Sequence, residues 1–485
     1  MGKQSSLPSA YGLGRVGILT AVVYLLTIVF YFKGPASHSR TAKEIFSWFI
    51  VSALLYLFWK GYQLVDSSDD LSARDLVIFA AVFCGLAFLV FPFHSTDIFG
   101  YINRGWQQVH YHQNPYIYYV AEIPNWRQDP MVWDHWIYNP NPYGFLFTLL
   151  ARLFCKIGNG HWWLTLSLFK AVNVLAYAGA AWLIWDGAKR LGHSKPLVSL
   201  YVFLWNPLIL MHEIANGHND ILTGALVLLA MYLALVGAGL WIIPVLVVAT
   251  LLKYGPAVVI PFALVYVIKN YGWKKAIASC LISVAIMIVA AAPYMQDWRM
   301  FKLEDMASNA TLIDNSLHSF LIHIFENISR HLIPALNRYH ALADWLIKNT
   351  LRLGFGLFLI SQFVRIPKKF SSKTLAKKSL LIMFVLICVV SSKFNAWYMG
   401  MLLPLALLLD EEDWLRRLII LISCAQLLSL TFFKQAYIIN FFAMMLVPAW
   451  IVFKQVWEAR EAVPARTRLV EQTVESVPSL RFSHR

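Results

Sequence analysis

The chain has 485 residues, of which 59% are hydrophobic and 14% charged, with 19 Trp and a formal net charge of +15. A water-soluble fold needs more surface charge than this. Apolar runs of about 20 residues, each long enough to span a bilayer, recur along the sequence. The lysines and arginines cluster in short segments between those runs, as in the cytoplasmic loops of a membrane protein, so the basic balance does not point to nucleic acid.

Residues 1–14 lead into the first run with no small-residue cleavage site, so no cleaved signal is expected. Transmembrane helices are predicted near 15–32, 45–65, 75–93, 162–185, 196–214, 221–236, 276–293, 346–364, 379–392, 396–409, 416–433 and 437–453. Between 238 and 268 two shorter apolar pieces are interrupted at "KYGP" (253–256), where Gly and Pro break a helix. The pair reads as two half-helices entering and leaving on one side, with two full spans as the alternative. The fold class is therefore an all-α polytopic integral membrane protein with about 12–14 transmembrane or half-membrane helices. The five cysteines, Cys84, Cys155, Cys280, Cys388 and Cys424, lie in or beside apolar runs without metal-type spacing and read as small buried hydrophobes.

Loop charge sets the orientation. "DGAKRLGHSK" (186–195), "KNYGWKK" (269–275) and "RIPKKFSSKTLAKK" (365–378) are strongly basic, and one topology puts all three in the cytoplasm with both termini. Only the basic first loop, "KGPASHSRTAK", runs against it. The organisation expected is N-terminal transmembrane helices (1–93), a large extracytoplasmic loop with short amphipathic helices (94–161), transmembrane helices with the re-entrant pair (162–293), a second extracytoplasmic loop (294–345), C-terminal transmembrane helices (346–456) and a polar cytoplasmic tail (457–485). "NAT" (309–311) and "NIS" (327–329) fit the glycosylation pattern, a short match that chance often supplies.

Three polar features interrupt this apolar chain. "FHSTDIFGYINRGW" (93–106) places Asp97 at the mouth of a span with His94, Tyr101 and Arg104 around it. The loop continues through "HQNPYIYY", "WDHW" and "YNPNPYGF", whose aromatics, taken singly, are also what a membrane interface attracts. A loop aspartate can equally cap the next helical turn. The second feature, "HEIANGHND" (212–220), lies between two spans, where ionisable groups are costly and point to a cavity. It is not a zinc-protease motif, because His212 and His218 are six apart and not four on one helical face. The third feature is lysine in apolar surroundings: Lys170, Lys253 and Lys393. Snorkelling accounts for lysines near span ends, whereas Lys253, at a helix break, is better explained by an anion such as a lipid phosphate. Lys393 is a comparable candidate.

Taken in order, "STDIFGYINRG", "QNPY", "NPYGFLFTLLARL", "FKAVNVLAY", "WNPLIL…ANGHNDIL", "LLKYGPAVVIP" and "NAWYMGMLLPLALL" resemble the GT-C superfamily of membrane glycosyltransferases. More narrowly, the chain is similar to the polyprenol-phosphate-mannose-dependent mannosyltransferases, with a more distant likeness to the first mannosyltransferase of glycolipid-anchor assembly. The likeness covers most of residues 75–410. It implies a GT-C-like fold, a sugar donor carried on a polyprenyl phosphate, and a catalytic base at Asp97. Donor contacts are expected from Lys253, Arg104, Lys170 and Lys393. Acceptor contacts are expected from Tyr101, Asn114, Tyr116, Tyr143, His218, Asn219, Asp220 and Trp397. "TDIF" replaces the paired acids of some relatives, so no metal ligand and no cofactor are expected.

The chemistry fits this inventory. One carboxylate within reach of a hydroxyl makes a nucleophile, and a phosphate leaves as a stable anion that needs cations, not an acid. The paired carboxylates of a glycoside hydrolase are missing from the stretch around Asp97. The function expected is inverting transfer of a sugar, mannose first, to a hydroxyl of a lipid-linked, glycan or protein acceptor on the extracytoplasmic side. Arabinose and glucose remain alternatives. A lipid or glycolipid flippase is the competing class, since half-helices and intramembrane lysines suit it too. The long outer loop and the lack of a repeat relating the two halves weigh against it.

Overall fold

The computed structural model describes residues 9–32, 34, 38–139, 141–295, 315–431 and 437–457. Every regular element among them is helical. That is the expected response to lipid, where a backbone must satisfy its own N–H and C=O groups. In chain order the α-helices are α1 (Ser9–Tyr31), α2 (Arg40–Ser67), α3 (Ala73–Leu89), α4 (Asp97–Val109), α5 (Phe145–Gly158), α6 (Trp162–Arg190), α7 (Pro196–Leu204), α8 (Asp220–Leu235), α9 (Ile242–Leu252), α10 (Ile260–Tyr271), α11 (Trp273–Ala291), α12 (Leu317–His331), α13 (His340–Val364), α14 (Ser372–Phe384), α15 (Met399–Ala406), α16 (Trp414–Gln426) and α17 (Ile438–Trp457). The "NAT" pattern and residues 458–485 of the expected tail lie outside the described residues. Asn327 of "NIS" sits within α12, and the Ser329 side chain is buried, so that pattern is not displayed on a loop.

By length and composition α1, α2, α6, α11 and α17 can each cross a bilayer. α7 and the π-helical segment Ile209–Ala215, which follows it after a 49° bend, together have the length and composition of a broken span or a re-entrant loop. Four further apolar helices, Asp220–Leu235, Gly239–Leu252, Gly255–Tyr271 and Ala396–Ala406, stop short of a span. Asp220–Leu235 and Ala396–Ala406 fall short of the spans expected at 221–236 and 396–409, whereas the other two are the shorter pieces expected between 238 and 268. At 1.5 Å per residue, α8 covers only about 24 Å of a hydrocarbon core about 30 Å thick. The polar island precedes α8 and the break at Lys253 follows α9, so both stand at ends of helices too short to span that core. The 238–268 segment is a hairpin of two short helices whose far ends meet, with Gly239 against the Tyr271 ring.

The loops sort onto two faces. On one, Lys195 pairs with Asp66 at 2.7 Å, its backbone N–H donates to Glu411, Lys269 donates to the Pro367 carbonyl, and Lys373 and Lys377 pair with Asp410 and Asp413. All three strongly basic loops thus share this face. On the other, Tyr31 stacks on Phe93, the Phe93 and His94 N–H groups both donate to Asn216 Oδ1, Tyr254 donates to the Tyr143 carbonyl, and Ser316 donates to the Ser392 carbonyl. The first loop, the aromatic loop, the "HEIANGHND" island and the Lys253 break converge there.

Close helix crossings hold this second face together. A Cβ on Gly224 would lie 2.1 Å from the Gly400 carbonyl oxygen, so only glycine lets α8 meet the start of α15 backbone to backbone. Gly217 turns the chain between Ala215 and α8 at φ +74°, a left-handed conformation that glycine adopts without steric cost.

Candidate active site

Asp97 is the first residue of α4, where the helix dipole favours negative charge. The turn that carries it is fixed from both sides. Its own N–H donates to Ser95 Oγ at 3.3 Å, and the Trp136 indole donates to Thr96 Oγ1 at 3.0 Å. Asp97 Oδ2 approaches His218 Nδ1 to 3.5 Å, and the His218 ring stacks on Trp397 with centroids 3.8 Å apart. The carboxylate keeps 18% of its side-chain surface exposed, enough to meet a substrate. Burial pushes its pKa above the usual carboxylate range, with Lys393 and Lys253 opposing.

The island behind Asp97 is held by α6. Asn173 Nδ2 donates to the carbonyls of Glu213 and His218 at 2.9 and 2.8 Å. Glu213 Oε2 accepts from the Ile221 N–H at 2.9 Å, satisfying an orphan donor at the start of α8. Asp220, fully buried, accepts from Lys253 Nζ at 2.5 Å, and the ammonium lies 4.4 Å above the Tyr398 ring. Lys253 reaches this position because α9 ends at Leu252 and the next residue is extended, so its side chain turns away from the helix surface.

Asp97, Trp136, Lys253, Trp397 and Tyr398 border a cavity of about 570 Å³. Its wall contains Asp97, Arg104, Tyr143, Lys253, Lys393 and Trp397, six of the residues singled out from sequence. Arg104 is occupied, since its guanidinium donates to the carbonyls of Gly100, Trp136 and Asn139. Lys393 lies 5.0 Å above the Trp136 ring. One acid among several cations, with an apolar wall on one side, suits an anionic amphiphile. Among the described residues no group of three or more His, Cys, Asp and Glu side chains is placed to hold a metal.

Residues 5–269 match a family model described as alpha-(1->6)-mannopyranosyltransferase, N-terminal domain, which is more than half of the chain. The protein belongs to this mannopyranosyltransferase family. Over 263 residues it is 24% identical to Alpha-(1->6)-mannopyranosyltransferase A of Corynebacterium glutamicum, an alignment that covers 53% of this chain and 52% of that one. The chain thus matches about half the length of this relative. No solved structure matches it. The family match includes Asp97, Arg104, Tyr143, the polar island and Lys253. The part of the cavity built from α13, the end of α14 and the start of α15 lies beyond it.

The structure separates the remaining sequence candidates from the cavity. His218 and Asp220 stand one layer behind, against Asp97 and Lys253, and Asn219 faces the buried Tyr101 hydroxyl at 3.5 Å. Asn114 and Tyr116 build the loop: Asn114 donates to the Tyr294 carbonyl, and the Tyr116 hydroxyl donates to the Tyr143 carbonyl. Lys170 is not among the residues that line the cavity. Its ammonium is buried and donates to the carbonyls of Phe88 and Val90 at 3.0 and 2.6 Å, closing the C-terminal end of α3. Two wall residues escaped the sequence reading, Lys348 and Arg352 of α13. Their signal was a Lys and an Arg four apart at the start of an apolar run, on one helical face, which snorkelling explains equally well.

Proposed function

We propose that the protein is an inverting membrane glycosyltransferase that moves a sugar from a polyprenyl-phosphate donor to an acceptor hydroxyl, with Asp97 as the general base. Mannose is the first candidate, because both the family description and the corynebacterial relative's name specify mannopyranosyl transfer. The acceptor is a lipid-linked, glycan or protein hydroxyl. The observation that carries the reading is a single ionisable acid, Asp97, in a cavity whose other charged groups are Arg104, Lys253, Lys348, Arg352 and Lys393.

In this mechanism the acceptor hydroxyl lies against the Asp97 carboxylate, which takes its proton as the oxygen attacks the anomeric carbon. The bond from that carbon to the phosphate oxygen breaks, and its electron pair leaves on the phosphate. Cations beside the phosphate stabilise the charge that develops there. A double displacement needs a second carboxylate about 5 Å from the first; Asp220 is engaged by Lys253, and Glu213 by the Ile221 N–H. The chemistry invokes no metal. The extracytoplasmic side is supported by the three strongly basic loops on the opposite face, since such loops remain in the cytoplasm.

Asp97→Asn tests the reading. It keeps size and hydrogen bonding but cannot accept the proton, so turnover with a polyprenyl-phosphate sugar should drop about 10²–10⁴-fold while donor binding persists. Near wild-type transfer by this variant would remove Asp97 from the base role.

A further inference from the structure

Lys348 and Arg352 lie four residues apart on α13, one turn above the other on the same face, and both line the cavity that holds Asp97. The other cations there already have partners: Lys253 has Asp220, Arg104 has three carbonyls, and Lys393 has the Trp136 ring. Asp344, one turn before Lys348, would be the natural helical partner, but its Oδ1 lies 2.7 Å from His318 Nε2 and forms no ion pair with Lys348. Among the described residues Lys348 and Arg352 form no ion pair.

What lies beside them is hydrocarbon. Phe355 is the next cavity residue along α13, and Leu386, Ile387 and Val390 face the same space from the π-helical segment Val385–Val390 that follows α14. From Asp344, on the site face, α13 runs toward the basic loop on the other face. The wall therefore changes from cationic to apolar in the direction of the membrane interior.

We propose that Lys348 and Arg352 form a phosphate clamp for a polyprenyl phosphate, with the first isoprenyl units lying on Phe355, Leu386, Ile387 and Val390. This rests on the transferase reading above and relocates the phosphate from Lys253, whose charge Asp220 already balances. The planar Arg352 guanidinium can donate two parallel hydrogen bonds to phosphate oxygens, and the compact Lys348 ammonium adds a point charge. As the sugar–oxygen bond breaks, negative charge grows on the phosphate that these two groups face.

The test uses purified full-length protein in detergent and a sugar-free polyprenyl monophosphate as probe, with binding read by native mass spectrometry. Lys348→Gln/Arg352→Gln should weaken binding by about tenfold or more, the size expected for losing charge-assisted hydrogen bonds. Lys348→Arg/Arg352→Lys should bind within a few fold of wild type, and Lys274→Gln/Lys275→Gln, on the opposite face, should bind as wild type. Inorganic phosphate should not displace the lipid at comparable concentration, because it lacks the chain. If the double Gln variant binds as tightly as wild type, the clamp is wrong while the transferase reading stands. A Lys348→Arg/Arg352→Lys variant that keeps its melting temperature but loses the lipid also sinks the clamp. Wild-type protein that takes up no polyprenyl phosphate would overturn both readings. Displacement by equimolar inorganic phosphate would remove the chain groove and, with it, the proposal as stated.

Discussion

His218 Nδ1 lies 3.5 Å from Asp97 Oδ2 while the plane of its ring stacks on Trp397. The imidazole is buried, and neither ring nitrogen makes a formed hydrogen bond. A donor poised this near a carboxylate can tighten when substrate binds, as catalytic hydrogen bonds do. We propose that His218 positions Asp97. His218→Phe keeps the ring stack and removes the donor. It should lower kcat about tenfold or more with a small change in KM. It should also move the acid limb of the pH–rate profile upward, because a carboxylate that loses a donor gains affinity for its proton. His218→Gln, which restores a donor, should recover part of both. An unshifted acid limb in His218→Phe would leave the histidine with a packing role only.

The pH dependence of the wild-type enzyme follows from Asp97. Burial raises its pKa, and Lys393 and Lys253 lower it. The base works only when ionised, so kcat/KM should fall as pH drops through the raised pKa, at a higher pH than the ordinary carboxylate value of about 4. Lys393→Gln removes an opposing cation and should carry the limb higher still. Activity that persists unchanged below about pH 4 would contradict the assignment.

The Lys253–Asp220 pair predicts a stability effect separable from catalysis. Asp220 is fully buried and Lys253 is 21% exposed. Lys253→Met leaves a buried carboxylate without its partner, a change that costs about 3–5 kcal/mol when one member of a buried pair is removed. Lys253→Met/Asp220→Asn should recover much of that loss, because no lone charge remains. Thermal unfolding of detergent-purified protein measures both. Equal melting temperatures for wild type and Lys253→Met would mean that the pair contributes nothing to folding.

Orientation is read by labelling. A cysteine at Gln128, in the aromatic loop, should react with a membrane-impermeant thiol reagent added to intact cells. One at Lys369, in the basic loop on the opposite face, should react only after permeabilisation. The reverse pattern would put the cavity on the cytoplasmic side.

The sequence alone determined the class and the charge sorting of the loops, and it singled out Asp97 as the candidate base. These properties are local or compositional: apolar runs require helices in lipid, basic loops share a side, and Asp97 stands alone in its motif. Tertiary structure decided which cations share a space with that acid. Lys170 and Lys393 both read as lysines in apolar sequence, yet one closes the end of α3 and the other reaches the cavity. Lys253 has the anionic partner its helix break suggested, but part of that role falls to Asp220, 33 positions earlier. Lys348 and Arg352 went unremarked in the sequence because the space they line is completed by α4, Lys253, the segment 385–390 that follows α14, and α15, all remote in sequence. The short helices α8 and α15 were likewise counted as full-length runs, since hydropathy records what a segment buries and not how deep it reaches. Where a helix stops is set by the polar site it must leave room for, and that site exists only once the segments have packed.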